Sequence, residues 1–162
     1  MEVTSMKRTL LAVSLAIATS AFADEGLLVE AGPSIQSQSA AGRVALYGDI
    51  APYVRIEGGV MATSGGYIAD VTPMLCAGVE KFHNFYGCIG VGLGYDAVKN
   101  PNQSQGAIFH DVLRFGYQVS DKVGVVLDAT HYSNGGSYNP VFGTKNNGGM
   151  SYFMLGVTYK FH

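Results

Sequence analysis

The chain predicts an all-β fold, an eight-stranded antiparallel transmembrane β-barrel of the outer-membrane type. Apolar residues recur at every second position through most of its length, which is the period of a strand with two unlike faces. The alternating segments run to ten or twelve residues, longer than the usual soluble strand and suited to a tilted membrane-spanning one. The charges share a face with the glycines and not with the bulky apolar side chains. A soluble sandwich would pack its apolar face inward and turn its charges to water. Narrow membrane barrels do the reverse, holding small residues and paired charges inside while aliphatic and aromatic side chains meet lipid. A secreted lipocalin-like barrel is the alternative, and there the apolar face would line a ligand cavity.

Residues 1–23 read as a secretory signal peptide and are set apart from the fold. Lys7-Arg8 is its basic start, Thr9–Ala18 its apolar run, and Ala21-Phe22-Ala23 a small-x-small cleavage site before Asp24-Glu25. That run is too short and wrongly flanked for a membrane span. Met6 is a second candidate start, which makes Met1–Ser5 an upstream extension. Residues 24–162 then form one barrel domain. No later segment approaches the roughly 20 consecutive apolar residues of a transmembrane helix. Ten Lys and Arg against twelve Asp and Glu, with no basic cluster, exclude a nucleic-acid partner.

Eight segments alternate, at about 27–36, 42–49, 52–63, 66–80, 85–96, 105–118, 122–134 and 150–161. The first sets Leu27, Val29, Ala31 and Ile35 against Glu30, Gly32 and Ser34. Only Pro52 separates the second from the third, and together they carry Arg43, Arg55 and Glu57 on the inward parity. Asp70 and Glu80 mark the inward face of the fourth. The fifth is the clearest, with Phe85, Ile89, Val91, Leu93 and Tyr95 alternating with Tyr86, Cys88, Gly90, Gly92, Gly94 and Asp96. Arg114 and Asp128 set the parity of the sixth and seventh. The last places Phe153, Leu155, Val157, Tyr159 and Phe161 outward and Tyr152, Met154, Gly156, Thr158 and Lys160 inward.

Connections after even strands are short, as periplasmic turns are, whereas those after odd strands include Ala97–Ser104 and the long Gly135–Gly149. With the N-terminus in the periplasm, the seventh strand runs outward and ends near the outer leaflet.

Cys76 and Cys88 fall on inward parity in adjacent strands, directly opposed if the intervening turn centres on Phe82. In an oxidising compartment this predicts a cross-strand disulfide, not a metal or nucleophilic role. Gly90-Val91-Gly92-Leu93-Gly94 mimics a dinucleotide loop, but no helix follows it. His83 reads as a turn residue and His110 as facing the interior; neither stands at metal-ligand spacing with a cysteine. The reading calls for no metal and no cofactor.

The chemistry-bearing motif is His131-Tyr132-Ser133-Asn134-Gly135-Gly136. Residues i and i+2 of a strand share a face, so a general base and a hydroxyl nucleophile stand together on the lipid-facing row. A His on such a row is costly unless it sits at the interface or has a purpose; an interfacial His and Ser at a strand end is the structural reading. The motif resembles that of the lipid A 3-O-deacylases (PagL), outer-membrane eight-stranded barrels that remove an ester-linked acyl chain from lipid A. Phe109-His110-Asp111 on the sixth strand resembles the family's Phe-x-Asp. The resemblance is specific over residues 109–136 and architectural over the rest. It implies His131 as base and Ser133 as nucleophile, with Asn134 and Gly136 at the flanking positions.

The resemblance also implies a Glu at the start of the last strand, and this chain has no Asp or Glu after Asp128. Alignment by the Ser-Tyr pair puts Met150 at that position; strand parity from the C-terminus puts Ser151 there. Neither carries the charge that stabilises an imidazolium. Asn146 or Asn147 could orient the ring, as Asn does in papain-like proteases. Asp111 is a further candidate. If the six–seven turn centres on Asp121, Asp111 lies opposite His131 and Phe109 opposite Ser133, and the Asp111 carboxylate could hold the ring by its Nδ1–H.

The expectation is a serine esterase, embedded in the bacterial outer membrane, that removes the 3-O-linked acyl chain of lipid A. Its partner would be lipopolysaccharide in the outer leaflet, and a homodimer is open to it. The alternative is a non-catalytic structural or adhesive barrel whose long fourth loop binds a partner.

Overall fold

The computed structural model describes residues 24–35, 39–79, 82–98, 106–133 and 149–162. Eight strands follow one another in chain order: β1 Glu25–Pro33, β2 Ala40–Ala51, β3 Val54–Thr63, β4 Gly66–Val79, β5 Phe82–Asp96, β6 Gly106–Gln118, β7 Val123–Ser133 and β8 Met150–Lys160. Each pairs antiparallel with its neighbours, and β8 returns to β1 to close the barrel. Closure leaves no sheet edge, the condition for a β-structure in a bilayer core.

The wall is inside-out relative to a soluble protein. Leu155 is 69 % exposed, Leu75 62 % and Val91 60 %, while the Arg114 and Glu57 side chains are fully buried. Buried charge is costly unless it is paired and hydrogen-bonded, and Arg43, Arg114 and Glu57 are both. Arg43 reaches Glu57 at 2.6 Å, Asp70 at 2.7 Å and Glu30 at 3.1 Å. Arg114 reaches Asp128 at 2.6 Å and the other oxygen of Glu57 at 2.7 Å. Glu57 is thus the hinge of the network, shared by both guanidiniums.

Apolar layers close the interior on either side of these charges. Met61, Ile68, Ile108, Tyr132, Tyr152 and Met154 pack towards the end where β7 gives way to β8, called here the loop end. Leu28, Tyr47 and Val126 pack nearer the opposite, turn end. The inward glycines of β5 belong to this filling: a Cβ at Gly92 would run into Thr72 and the Val71 backbone. That close approach accounts for the glycine run.

Cys76 and Cys88 stand opposite one another and are joined by a disulfide. The third strand starts at Val54 and not at 52, because Pro52-Tyr53 form the turn. Proline suits a turn and offers no N–H to a ladder, and Tyr53 takes a left-handed φ of 67°. His83 falls within β5, not in a turn. Its neighbour in type, His110, faces the interior, 1 % exposed.

Candidate active site

The site is built where β6, β7 and β8 lie side by side at the loop end. Along β7 the even residues Gly124, Val126, Asp128, Thr130 and Tyr132 are buried in the barrel, and the odd residues, ending in His131 and Ser133, line the outer wall. The register with β6 pairs Asp111 with His131 and Phe109 with Ser133. On the other side, β8 pairs Ser151 with His131 and Met150 with Tyr132. Met150 is therefore an interior residue, 8 % exposed, and Ser151 is the β8 side chain that shares the outer row with the ring.

The His131 ring turns to β8. Its Nδ1 is hydrogen-bonded to Ser151 Oγ at 2.8 Å. Asp111 on β6 is one of the sequence's candidates for the orienting contact, beside Asn146 and Asn147; among the described residues its carboxylate makes no ion pair with the ring, although the two residues are opposed in the ladder. Strand parity is the signal that points to Ser151. What it cannot show is that a hydroxyl there takes the ring.

Beyond Nδ1, the ring leans towards the loop end and lies over Gly149. A Cβ built on Gly149 would come within 2.6 Å of His131 Cε1 and 2.9 Å of Nε2. Gly149 is one ladder step past the Tyr132–Met150 pair, the place across from Ser133. The imidazole thus reaches along the wall in the direction of the serine, as two residues with Cα atoms about 6.5–7 Å apart require if they are to share a proton. No hydrogen bond joins the ring to Ser133 in this structure. Such contacts commonly tighten only when substrate is bound.

Asn134, Gly135, Gly136, Asn146 and Asn147 lie outside the described residues. Phe109, half-buried, stands opposite Ser133 in the ladder and shares its outward row. Facing the interior behind the site, the His110 and Tyr132 rings stack at 4.3 Å.

Comparison with known families decides whose site this is. The family of lipid A 3-O-deacylases (PagL) matches residues 22–160. The chain belongs to that family. It is a hydrolase of the lipid A deacylase kind, carried on a transmembrane barrel. Comparison with curated proteins gives no significant match. Among solved structures, a de novo designed transmembrane β-barrel is similar, with a TM-score of 0.62 at 12 % identity over 86 % of this chain and 96 % of that one. At that identity the likeness speaks for the fold alone, and it shows how far closure and alternation by themselves define such a wall.

Proposed function

We propose that the chain removes the 3-O-linked acyl chain of lipid A by serine-esterase chemistry in the outer leaflet of a bacterial outer membrane. The observation that carries this is the placement of His131 and Ser133 on the outward row of β7, with the ring held by Ser151 and leaning towards the serine. The substrate ester already lies beside that row, so no passage through the filled interior is needed.

In the first step, Ser133 Oγ attacks the ester carbonyl while His131 Nε2 takes the hydroxyl proton. The tetrahedral intermediate collapses and expels the sugar 3-hydroxyl oxygen, which takes the proton from His131. Water, deprotonated by the same ring, then attacks the acyl-Ser133 ester; the fatty acid is released and the ring returns the proton to Ser133 Oγ. Developing negative charge on the carbonyl oxygen needs donors placed in advance. The backbone N–H groups around Asn134 and Gly136 follow Ser133 directly and are assigned that role, with Asn146 as a further donor and Phe109 as an apolar contact for the chain. Residues 1–23 serve as the export signal.

Mass spectrometry of lipid A from cells expressing the wild type or Ser133→Ala tests the proposal. Loss of one acyl chain with the wild type alone is the expected result. Identical lipid A profiles would identify a non-catalytic barrel.

A further inference from the structure

From the β7–β8 geometry we infer that Ser151 and Gly149 are the positioning residues of the base: a hydroxyl accepting from Nδ1–H leaves the lone pair on Nε2, and a missing side chain leaves room for the ring's lean. The inference rests on the serine-esterase reading above and adds residues to it.

The first half follows from the ring's two nitrogens. A neutral imidazole has one N–H and one lone pair, and the hydrogen bond at one nitrogen decides which is which. A serine hydroxyl accepts two hydrogen bonds and still donates its own proton elsewhere. Ser151 Oγ stands 2.8 Å from Nδ1, and on this inference it accepts Nδ1–H, which keeps the lone pair on Nε2, the nitrogen that must take the Ser133 proton. A carboxylate in this place would also stabilise the imidazolium, which a hydroxyl dipole does more weakly. The arrangement therefore orients the ring fully while stabilising its charged form only in part.

The second half follows from space. The ring occupies the volume that any side chain at 149 would need. The nearest atoms to such a Cβ belong to the far end of the His131 side chain, so an alanine would push the ring aside and leave the wall intact. The backbone is less accommodating only at Tyr132 O, 3.2 Å away.

The test uses the full-length barrel purified and reconstituted in lipopolysaccharide-containing vesicles, with kcat and KM measured for Ser151→Ala, Ser151→Thr, Gly149→Ala, Asp111→Asn and Ser133→Ala. Heat-modifiable gel mobility confirms that each is folded. Ser151→Ala is expected to lose about tenfold in kcat with KM unchanged, the scale of one neutral hydrogen bond made to a reacting group. Ser151→Thr keeps the hydroxyl and should stay within about threefold of wild type. Gly149→Ala should lose kcat at least as much as Ser151→Ala. On ring-labelled protein, nitrogen NMR should show the Nδ1–H tautomer at His131 in the wild type and a mixture in Ser151→Ala; this readout stands even if one variant assembles poorly. Wild-type kcat and an unchanged tautomer in Ser151→Ala would overturn the inference, as would a kcat loss confined to Asp111→Asn. If Ser133→Ala is itself active, the esterase reading fails instead, so the two failures are distinguishable.

Discussion

His110 on β6 and His131 on β7 stand within one ladder step of each other, the first facing into the barrel and the second out of it. His110 is held on every side. Its Nδ1 is 2.6 Å from Thr72 Oγ1, its Nε2 is 2.6 Å from Thr130 Oγ1, and its face stacks on Tyr132. Among the described residues His131 is held at Nδ1 alone, and its other edge lies over a glycine. A ring bonded at both nitrogens inside the barrel offers neither to an outside group, whereas one tethered at a single nitrogen is oriented and leaves the other for a substrate. The difference teaches that the chemistry of a histidine in this wall is set by which face of the strand it occupies.

Substitution at the two positions should separate them most widely. His131→Gln is expected to lower kcat by about 10³-fold or more with the barrel still folded, in the range for loss of a general base. His110→Gln should leave kcat within a few-fold. Turnover by mass spectrometry, with gel mobility as the folding control, checks both; a comparable loss at His110 would break the comparison.

Stability should move the other way. Glu57→Gln leaves Arg43 and Arg114 each short of a buried carboxylate and should cost about 3–5 kcal/mol, the range for breaking a buried pair. Urea unfolding in lipid vesicles measures this, and the folded fraction should keep its turnover. Removing the disulfide with Cys76→Ala and Cys88→Ala together should cost about 3 kcal/mol, because the bridge closes a loop of modest length. Activity should again be unaffected. The smallest effect sharpens the outer site itself. Ser151→Glu replaces the hydroxyl with a group that stabilises the imidazolium, and kcat should rise several-fold; a fall would mean that the pocket over Gly149 admits only a short partner.

The strand faces and two of the registers are legible in the sequence because short turns fix them. A strand that slips by one residue turns its whole apolar row inward, so parity is strongly specified. The pairings of Cys76 with Cys88 and of Asp111 with His131 are both present; the second follows from a turn centred on Asp121, whereas the first stands although Phe82 lies in β5 opposite Val79, beyond a register shift at Gly78 and Val79. The start of β3 is less legible, since Pro52 and Tyr53 read as strand by composition and act as turn by backbone geometry. The partner of the His131 ring is not legible at all. Between β7 and β8 lies the long connection 134–149, whose length breaks any count from one strand to the next. Counting back from the C-terminus gives the face of Ser151, but the choice between Ser151 and Asp111, one on each side of the ring, is made by a rotamer. Gly149 carries no pattern signal either, because its contribution is empty space.

The outward row also means that the protein builds only half a cleft. Soluble esterases wrap their serine in protein and so choose their own surroundings. Here, on the proposed reading, the opposite wall is made of neighbouring lipids, which pack against Phe109, Phe153 and Leu113 and keep bulk water from the acyl-serine. Membrane composition then becomes a part of the enzyme, and tighter or looser lipid packing around the barrel should govern turnover with no change in the chain.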